Sequence, residues 1–239
     1  MLARLDPSGR LAELERAGSD EEVASLIASR DASAVAVDAP LEVPDATGRR
    51  DVERVLSWCD VAAFPVSARR LETVYGGARG PRIAPSIARE GRTLVEALPD
   101  QVLRQIAWEA DHPLGTDALD LAAYRAAWLA VRAPRYRPKG VGRARTDGVL
   151  SAWGLLATVV DMDGWAPSSA PADDWAAIAD AACIDAICCA YAALRLARGE
   201  AVCIGAPGRG RVALPADANL TARLQVTLER LRAEGAIVI

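Results

Sequence analysis

The chain has 239 residues, 51% of them hydrophobic and 25% charged, which is typical of a soluble globular protein with a substantial core. Its net charge of −4 excludes a global attraction to nucleic acid or anionic membranes, so such a contact would need a local basic patch. The five cysteines form no C-x-x-C pair and His112 is the only histidine, which argues against a zinc site. An odd number of cysteines, three of them in one apolar stretch, favours a reducing cytoplasm.

No segment of the sequence is typical of a membrane protein. The first residues lack the apolar core of a signal peptide. The longest apolar stretch, 181–197, is interrupted by Asp185 and Arg195, so it is not predicted to span a membrane. We therefore expect a cytoplasmic protein with no membrane partner.

The first part of the chain follows the order strand, strand, helix, strand. A turn signal separates two short strands, and a polar cap at Ser19 begins an amphipathic helix. An apolar run then ends at Asp38, close to a proline. This order predicts a mixed α/β sheet with an antiparallel edge. The elements are expected at 2–5, 11–15, 19–29 and 35–38.

The rest of the chain alternates predicted helices with loops around a second buried strand, 93–98. Glycines and prolines predict an irregular region over 64–85, and arginines with prolines predict a basic loop over 132–145. No repeat or linker is visible, so we expect one domain over 1–239, with 206–239 as a C-terminal extension. Helices are expected at 51–60, 101–110, 118–131, 148–160, 173–198 and 218–234, and short strands at 201–204, 211–214 and 236–239.

Asp38 lies at the end of a strand whose apolar residues predict burial on both faces. Ligands of open α/β sheets bind outside the carboxyl ends of the strands, so Asp38 is a candidate site residue. An unpaired buried carboxylate is costly and needs a cation, a metal or water. The alternative interpretation is an Asp that caps the following turn.

Two further carboxylates stand in apolar surroundings. Glu96 lies in the second buried strand, and Asp185 lies in an apolar helix where nothing nearby explains a charge. Together with Asp38 they suit a hard cation, Mg²⁺ or Mn²⁺, which prefers oxygen ligands. For Asp185, pairing with an arginine or a neighbouring loop is the alternative.

Six cations fall within fourteen residues that contain no acid, and Tyr136 adds an aromatic surface among them. Such a segment suits phosphates, including those of single-stranded nucleic acid, although a solvated arginine loop is the more common outcome. The six are Arg132, Arg135, Arg137, Lys139, Arg143 and Arg145.

Several of these motifs resemble a family known as domain of unknown function 429, often described as predicted RNase H-like nucleases. Val-Asp-Ala-Pro-Leu at 37–41, followed by Gly48 and Arg49, is similar to the signature of that family. The strand ending Glu-Ala-Leu-Pro at 96–99, the Tyr-Arg-Pro-Lys segment at 136–139 and the Asp-Ala pair at 185–186 resemble its later motifs, in the same order. The resemblance covers about residues 1–205.

The resemblance implies an RNase H-like mixed sheet flanked by helices, with a divalent-metal site of acids. Carried onto this chain, Asp38, Glu96 and Asp185 become the catalytic acids, with Asp38 and Asp185 as metal ligands. The chain departs from the family in one respect, since it opens at what resembles the second strand and lacks the Gly-x-Asp first strand. We expect either a start upstream of Met1 or an incomplete site, and a sheet gap that a homo-oligomer or residues 211–239 would fill.

These observations favour a metal-dependent phosphodiester hydrolase of the nuclease type. Arg49, Arg137 and Lys139 would bind the substrate, which is nucleic acid or a phosphorylated small molecule. One rival is a non-catalytic interaction or assembly protein that keeps the fold. Another is phosphotransfer related to the actin-like ATPases, against which the lack of a glycine-rich phosphate turn argues.

Overall fold

The structure, a computed structural model, describes residues 1–44, 46–112, 121–137, 143–206 and 208–234. Over these ranges the chain forms nine α-helices, a mixed sheet of four strands and a separate sheet of two, which confirms the mixed α/β class. The strands are β1 (Leu2–Leu5), β2 (Leu11–Glu15), β3 (Ala34–Val37), β4 (Thr93–Glu96), β5 (Ala201–Ala206) and β6 (Gly210–Pro215). The helices are α1 (Asp20–Ala28), α2 (Asp51–Trp58), α3 (Ala68–Tyr75), α4 (Arg79–Ile87), α5 (Pro99–Asp111), α6 (Leu121–Ala130), α7 (Arg143–Leu156), α8 (Asp174–Ala197) and α9 (Ala218–Ala233).

The main sheet has the strand order β3-β4-β6-β5. β3 is parallel to β4, β4 is parallel to β6, and β5 returns antiparallel to β6 at the edge. Val37 and Glu96, the last residues of β3 and β4, are partners in the register. Asp38 therefore leaves the sheet at the carboxyl edge beside Glu96, where α/β proteins commonly bind ligands.

The predicted hairpin forms, but it does not join the main sheet. Where the structure describes the chain, β1 pairs only with β2, and its packing surface is helix α8. The prediction of an antiparallel edge at this end was wrong, because that edge is formed by β5 at the opposite end of the sheet.

The prediction of an irregular region over 64–85 was also wrong, since α3 and α4 occupy most of it. Ser67 caps α3 by accepting a hydrogen bond from the backbone N–H of Arg70, and Gly76 ends that helix with a φ of +69°. Pro81 lies in the first turn of α4, where a missing N–H costs no helical hydrogen bond. The glycines and prolines here mark helix ends, although Pro85 stands inside α4.

Most remaining elements match their predicted ranges to within a few residues. The helix predicted from residue 148 begins earlier, at Arg143, inside the predicted basic loop. The predicted strand 236–239 lies outside the described residues, as does Lys139.

Two hydrophobic clusters occupy different parts of the fold. One joins the hairpin to α5, α7 and α8, and the other joins β5 and β6 to α2, α6 and α9. Within the described chain, one helix, Asp174–Ala197, is long and apolar enough to cross a membrane. Its most apolar window is 61% buried inside the fold, and core helices of soluble proteins pass the same test.

Candidate carboxylate–arginine site

Asp38 and Asp185 come together although 147 positions separate them in the sequence. Arg137 joins them, since its Nη2 atom donates to Asp38 Oδ2 at 2.7 Å and also to Asp185 Oδ1. The hydroxyl of Tyr136 donates to the same Asp185 oxygen at 2.5 Å. The site therefore contains two carboxylates, one guanidinium and one phenol, and its formal charge is −1.

Burial raises the pKa of both carboxyl groups despite the arginine. The pKa of Asp185 rises to about 6 because burial disfavours its charge more than Arg137 and Tyr136 favour it. The pKa of Asp38 is raised for the same reason, and the carboxylate of Asp100 at the start of α5 adds to the shift. Arg137 therefore stabilises the charged form of each carboxyl group less than burial destabilises it.

The site remains open to solvent on the side of the arginine. The side chains of Asp38, Asp185 and Arg137 are 36%, 23% and 41% exposed, whereas Tyr136 is fully buried. Paired carboxylates raise the pKa of Arg137 above its usual value. A small anionic ligand can therefore reach the guanidinium without unfolding the site.

Close backbone approaches at two glycines position the segments that carry the site. A Cβ on Gly148 of α7 would lie 2.2 Å from the carbonyl oxygen of Arg135, so only glycine lets the Tyr136–Arg137 segment pack this closely on the helix. A Cβ on Gly80 of α4 would lie 2.0 Å from the carbonyl oxygen of Pro40, just after Asp38. Both glycines hold the backbone where any other residue would displace it.

Glu96 lies on the neighbouring strand but contacts a different cation. Its carboxylate accepts hydrogen bonds from both terminal nitrogens of Arg50, at 2.7 and 2.8 Å, and from the backbone N–H of Leu41 at 2.9 Å. Glu96 and Arg50 are both buried, and Arg50 also donates to Glu53 at 2.7 Å. The structure does not bring Glu96 into contact with Asp38 or Asp185, so its catalytic role stays a prediction.

Two residues near these acids were missed in the sequence. Arg50 was passed over in favour of its neighbour Arg49, which instead donates to the hydroxyl of Ser57 at 2.8 Å. The sequence could have predicted an ion pair of Arg50, because Arg50 lies directly before α2 and Glu53 follows three residues later. Side chains at this spacing on a helix are in contact. Asp100 was missed because it follows Pro99 in the first turn of α5. Acidic residues are common in the first turn of a helix because the helix dipole favours negative charge there.

The carboxylate oxygens of Asp38 and Asp185 are the type of ligand that a hard divalent cation prefers. The described residues do not, however, form a preassembled metal site. Among the described residues no group of three or more Asp, Glu, His or Cys side chains is arranged to hold a metal. Mg²⁺ is commonly bound by one or two carboxylates and several waters, which Asp38 and Asp185 can supply. In this structure Arg137 stands between the two carboxylates, so a cation would have to displace its guanidinium.

Comparison of the chain with protein-family models, with curated proteins and with solved structures finds no match. The resemblance to domain of unknown function 429 therefore stays an expectation from the motifs, and the site is interpreted from its own geometry.

Proposed function

We propose that the chain is a divalent-metal-dependent phosphodiester hydrolase of the nuclease type with an RNase H-like arrangement. The observation that carries this proposal is the convergence of Asp38 and Asp185, two carboxyl groups of raised pKa, on one partly exposed arginine. Their location at the carboxyl edge of a parallel pair of strands supports it.

The residues of the site fit distinct roles in this reaction. Asp38 and Asp185 would hold Mg²⁺ or Mn²⁺, which polarises a phosphoryl oxygen and makes bound water more nucleophilic. Arg137, once displaced from the carboxylates, would neutralise a phosphate oxygen, a task for which its guanidinium is suited. Tyr136 keeps Asp185 oriented through its hydroxyl. The substrate would be nucleic acid or a phosphorylated small molecule, with Lys139 and Arg49 as further candidate contacts.

Titration of Mg²⁺ by calorimetry tests the metal site directly. We expect binding to the unmodified protein, loss of binding in Asp38→Asn and Asp185→Asn, and tighter binding in Arg137→Gln, because the guanidinium competes for the same oxygens. Asp180→Asn is the matched control, since Asp180 lies on the same helix and accepts a backbone hydrogen bond from Ser168 rather than one from Arg137 or Tyr136. Absence of Mg²⁺ and Mn²⁺ binding in both the unmodified protein and Arg137→Gln would refute the metal site.

Hydrolysis tests the chemistry, with bis(p-nitrophenyl) phosphate and a single-stranded oligonucleotide as probes. We expect each Asp-to-Asn variant to lose about 100-fold or more in rate, because even partners of metal ligands cost 10- to 100-fold. The same assay on Glu96→Gln decides the predicted role of Glu96, since a structural partner of Arg50 would leave the rate nearly unchanged once the variant is shown to be folded.

A non-catalytic interaction protein is the second candidate, and one observation favours it. Arg137 and Tyr136 already satisfy one oxygen of Asp185, and Arg137 also binds Asp38, so the pair holds together with no metal. Under this alternative Mg²⁺ has no effect on any variant, whereas Arg137→Gln destabilises the fold.

A further inference from the structure

The outer strand of the main sheet, β5, has one free edge. In the part of the chain that the structure describes, β5 pairs only with β6, antiparallel, with Val202 opposite Leu214. The same register continues just outside the strands, where the backbone N–H of Ala216 donates to the carbonyl oxygen of Glu200 at 3.1 Å. The other long edge of β5 has no strand of the described chain beside it.

The register determines which backbone groups lie at this free edge. Residues of an antiparallel pair alternate between those that exchange hydrogen bonds with their partner and those that do not. Because Glu200 is bonded to Ala216, every second residue after Glu200 also turns its backbone groups to β6. The residues between them turn their N–H and C=O groups outward, and these are Ala201, Cys203 and Gly205.

The strand β5 lacks the features that usually keep a sheet edge from pairing. Proteins protect such edges with charged side chains or prolines, or cover them with a helix or loop. The six residues of β5, Ala-Val-Cys-Ile-Gly-Ala, include no charged residue and no proline. By contrast β2, which also pairs with a single strand of the described chain, carries Glu13 and Glu15. The free edge of β5 is therefore chemically suited to pair with another strand.

A second copy of β5 complements this edge. A two-fold axis through Cys203 pairs this residue with itself and pairs Ala201 with Gly205 of the other copy, so that all three outward residues take part. An interface of this kind uses the same surface on both subunits and closes as a dimer. We propose that the free edge of β5 is the interface of a two-fold symmetric dimer, in which the two copies of β5 pair antiparallel about Cys203.

The charges at the ends of β5 complement each other in this arrangement. Glu200 directly precedes β5, and Arg209 lies in the turn that follows it. Antiparallel pairing places Glu200 of one copy beside the turn of the other copy, and the two-fold axis repeats this contact at both ends. The side chains of Glu200 and Arg209 are 48% and 60% exposed, so both are accessible to a second copy.

The dimer is independent of the candidate carboxylate–arginine site. β5 and β3 lie at opposite ends of the four-stranded sheet, and Asp38 follows β3. The proposal therefore does not rest on hydrolysis or metal binding, and its tests measure neither.

Charges introduced at the two-fold axis test the dimer by analytical ultracentrifugation of the full chain over a range of concentrations. We expect a monomer–dimer equilibrium for the unmodified protein and for the control Cys203→Ala. Cys203→Lys and Cys203→Glu each place two like charges directly opposite one another, which should weaken dimerisation several-fold. An equal mixture of these two variants should restore the dimer, because residue 203 then faces the opposite charge.

Cys203→Pro tests the hydrogen bonds of the backbone. The N–H of Cys203 points outward, so proline removes no hydrogen bond to β6, and edge strands tolerate proline at such a position. We expect a monomer whose melting temperature is close to that of Cys203→Ala. A folded Cys203→Pro variant that dimerises as well as Cys203→Ala would overturn the proposal.

Cross-linking tests the register, because Cys203 is the one exposed cysteine of the five, all of which the structure describes. Opposite Cβ atoms on paired strands are about 4.5–5.5 Å apart, so a short bifunctional thiol reagent should join Cys203 to its own copy. Mass spectrometry of the linked peptide identifies the pair.

Three results would overturn the proposal. One is a protein that stays monomeric up to millimolar concentration, and another is a dimer that the mixture of Cys203→Lys and Cys203→Glu does not restore. The third is slow hydrogen exchange of the Cys203 amide in the dilute monomer, since the free edge would then be covered by the same chain.

Discussion

At the scale of single residues, Arg137 determines the character of the candidate site. One nitrogen of its guanidinium serves two carboxylates, and burial raises the pKa of both carboxyl groups because this single charge offsets the cost of burial only in part. The buried Glu96–Arg50 pair nearby differs, since each oxygen of Glu96 has its own arginine nitrogen. The two oxygens of Glu96 thus have separate donors, whereas Asp38 and Asp185 share one nitrogen of Arg137.

The raised pKa of Asp185 predicts a pH-dependent effect of Asp185→Asn on stability. The pKa is about 6 in the fold against 3.8 ordinarily, so between pH 4 and 6 the folded state binds more protons than the unfolded state. The contribution of Asp185 to the free energy of unfolding therefore falls as pH rises through this window. The variant lacks this titration, so we expect its stability relative to the unmodified protein to improve by about 1–3 kcal/mol from pH 4 to pH 7.

Urea unfolding at both pH values measures this change, with Asp180→Asn as the control for helix α8. A stability difference that stays constant between pH 4 and pH 7 would contradict the assigned direction of the Asp185 pKa.

At the scale of elements, the site depends on how closely helices approach the segments that carry it. The Tyr136–Arg137 segment has no regular structure, and its position is set by α7 through Gly148. The sequence predicted a basic loop over 132–145 and a helix from residue 148. Neither pattern shows which residue of the helix contacts the loop.

Gly148→Ala should destabilise the protein and displace Arg137. The new Cβ would overlap the Arg135 carbonyl, and we expect a loss of about 1–3 kcal/mol in the free energy of unfolding. Gly154→Ala, on the same helix with nothing within 4 Å of its Cβ, should instead stabilise by up to about 1 kcal/mol. Thermal and urea unfolding of both variants provide the measurement, and equal effects at the two positions would refute the close-approach argument.

Helix signals explain why some elements were predictable and others were not. Ser19 caps α1 by accepting from the backbone N–H of Glu22, so this helix was confirmed from its local sequence. The same kind of signal at Ser67 was outweighed by the glycines and prolines around it, and α3 was missed. Local chemistry locates the end of an element, whereas only packing decides whether a short helix between two such ends is retained.

At the scale of the whole molecule, the two hydrophobic clusters raise the question of whether the chain unfolds as one unit. Cys59 belongs to the cluster around α9 and Cys188 to the cluster around α8, and both are almost fully buried. Burial raises the pKa of Cys59 to about 11 and also raises the pKa of Cys188, so neither thiol reacts readily in the fold. Cys203 is exposed on the edge strand β5.

A single domain predicts that Cys59 and Cys188 become reactive together. We expect both thiols to be labelled at the same urea midpoint, while Cys203 is labelled without urea. Pulse labelling with a maleimide followed by peptide mass spectrometry measures each cysteine separately. Labelling of Cys59 at clearly lower urea than Cys188 would contradict the prediction of one domain over 1–239.

The sequence by itself determined the mixed α/β class, most element positions and the unusual setting of Asp38, Glu96 and Asp185, because periodicity and the cost of burying a charge are local properties. Only the tertiary structure decided which acids meet. It placed Asp38 and Asp185 on Arg137 and paired Glu96 with Arg50, since strand register and helix approach set distances between residues far apart in the chain.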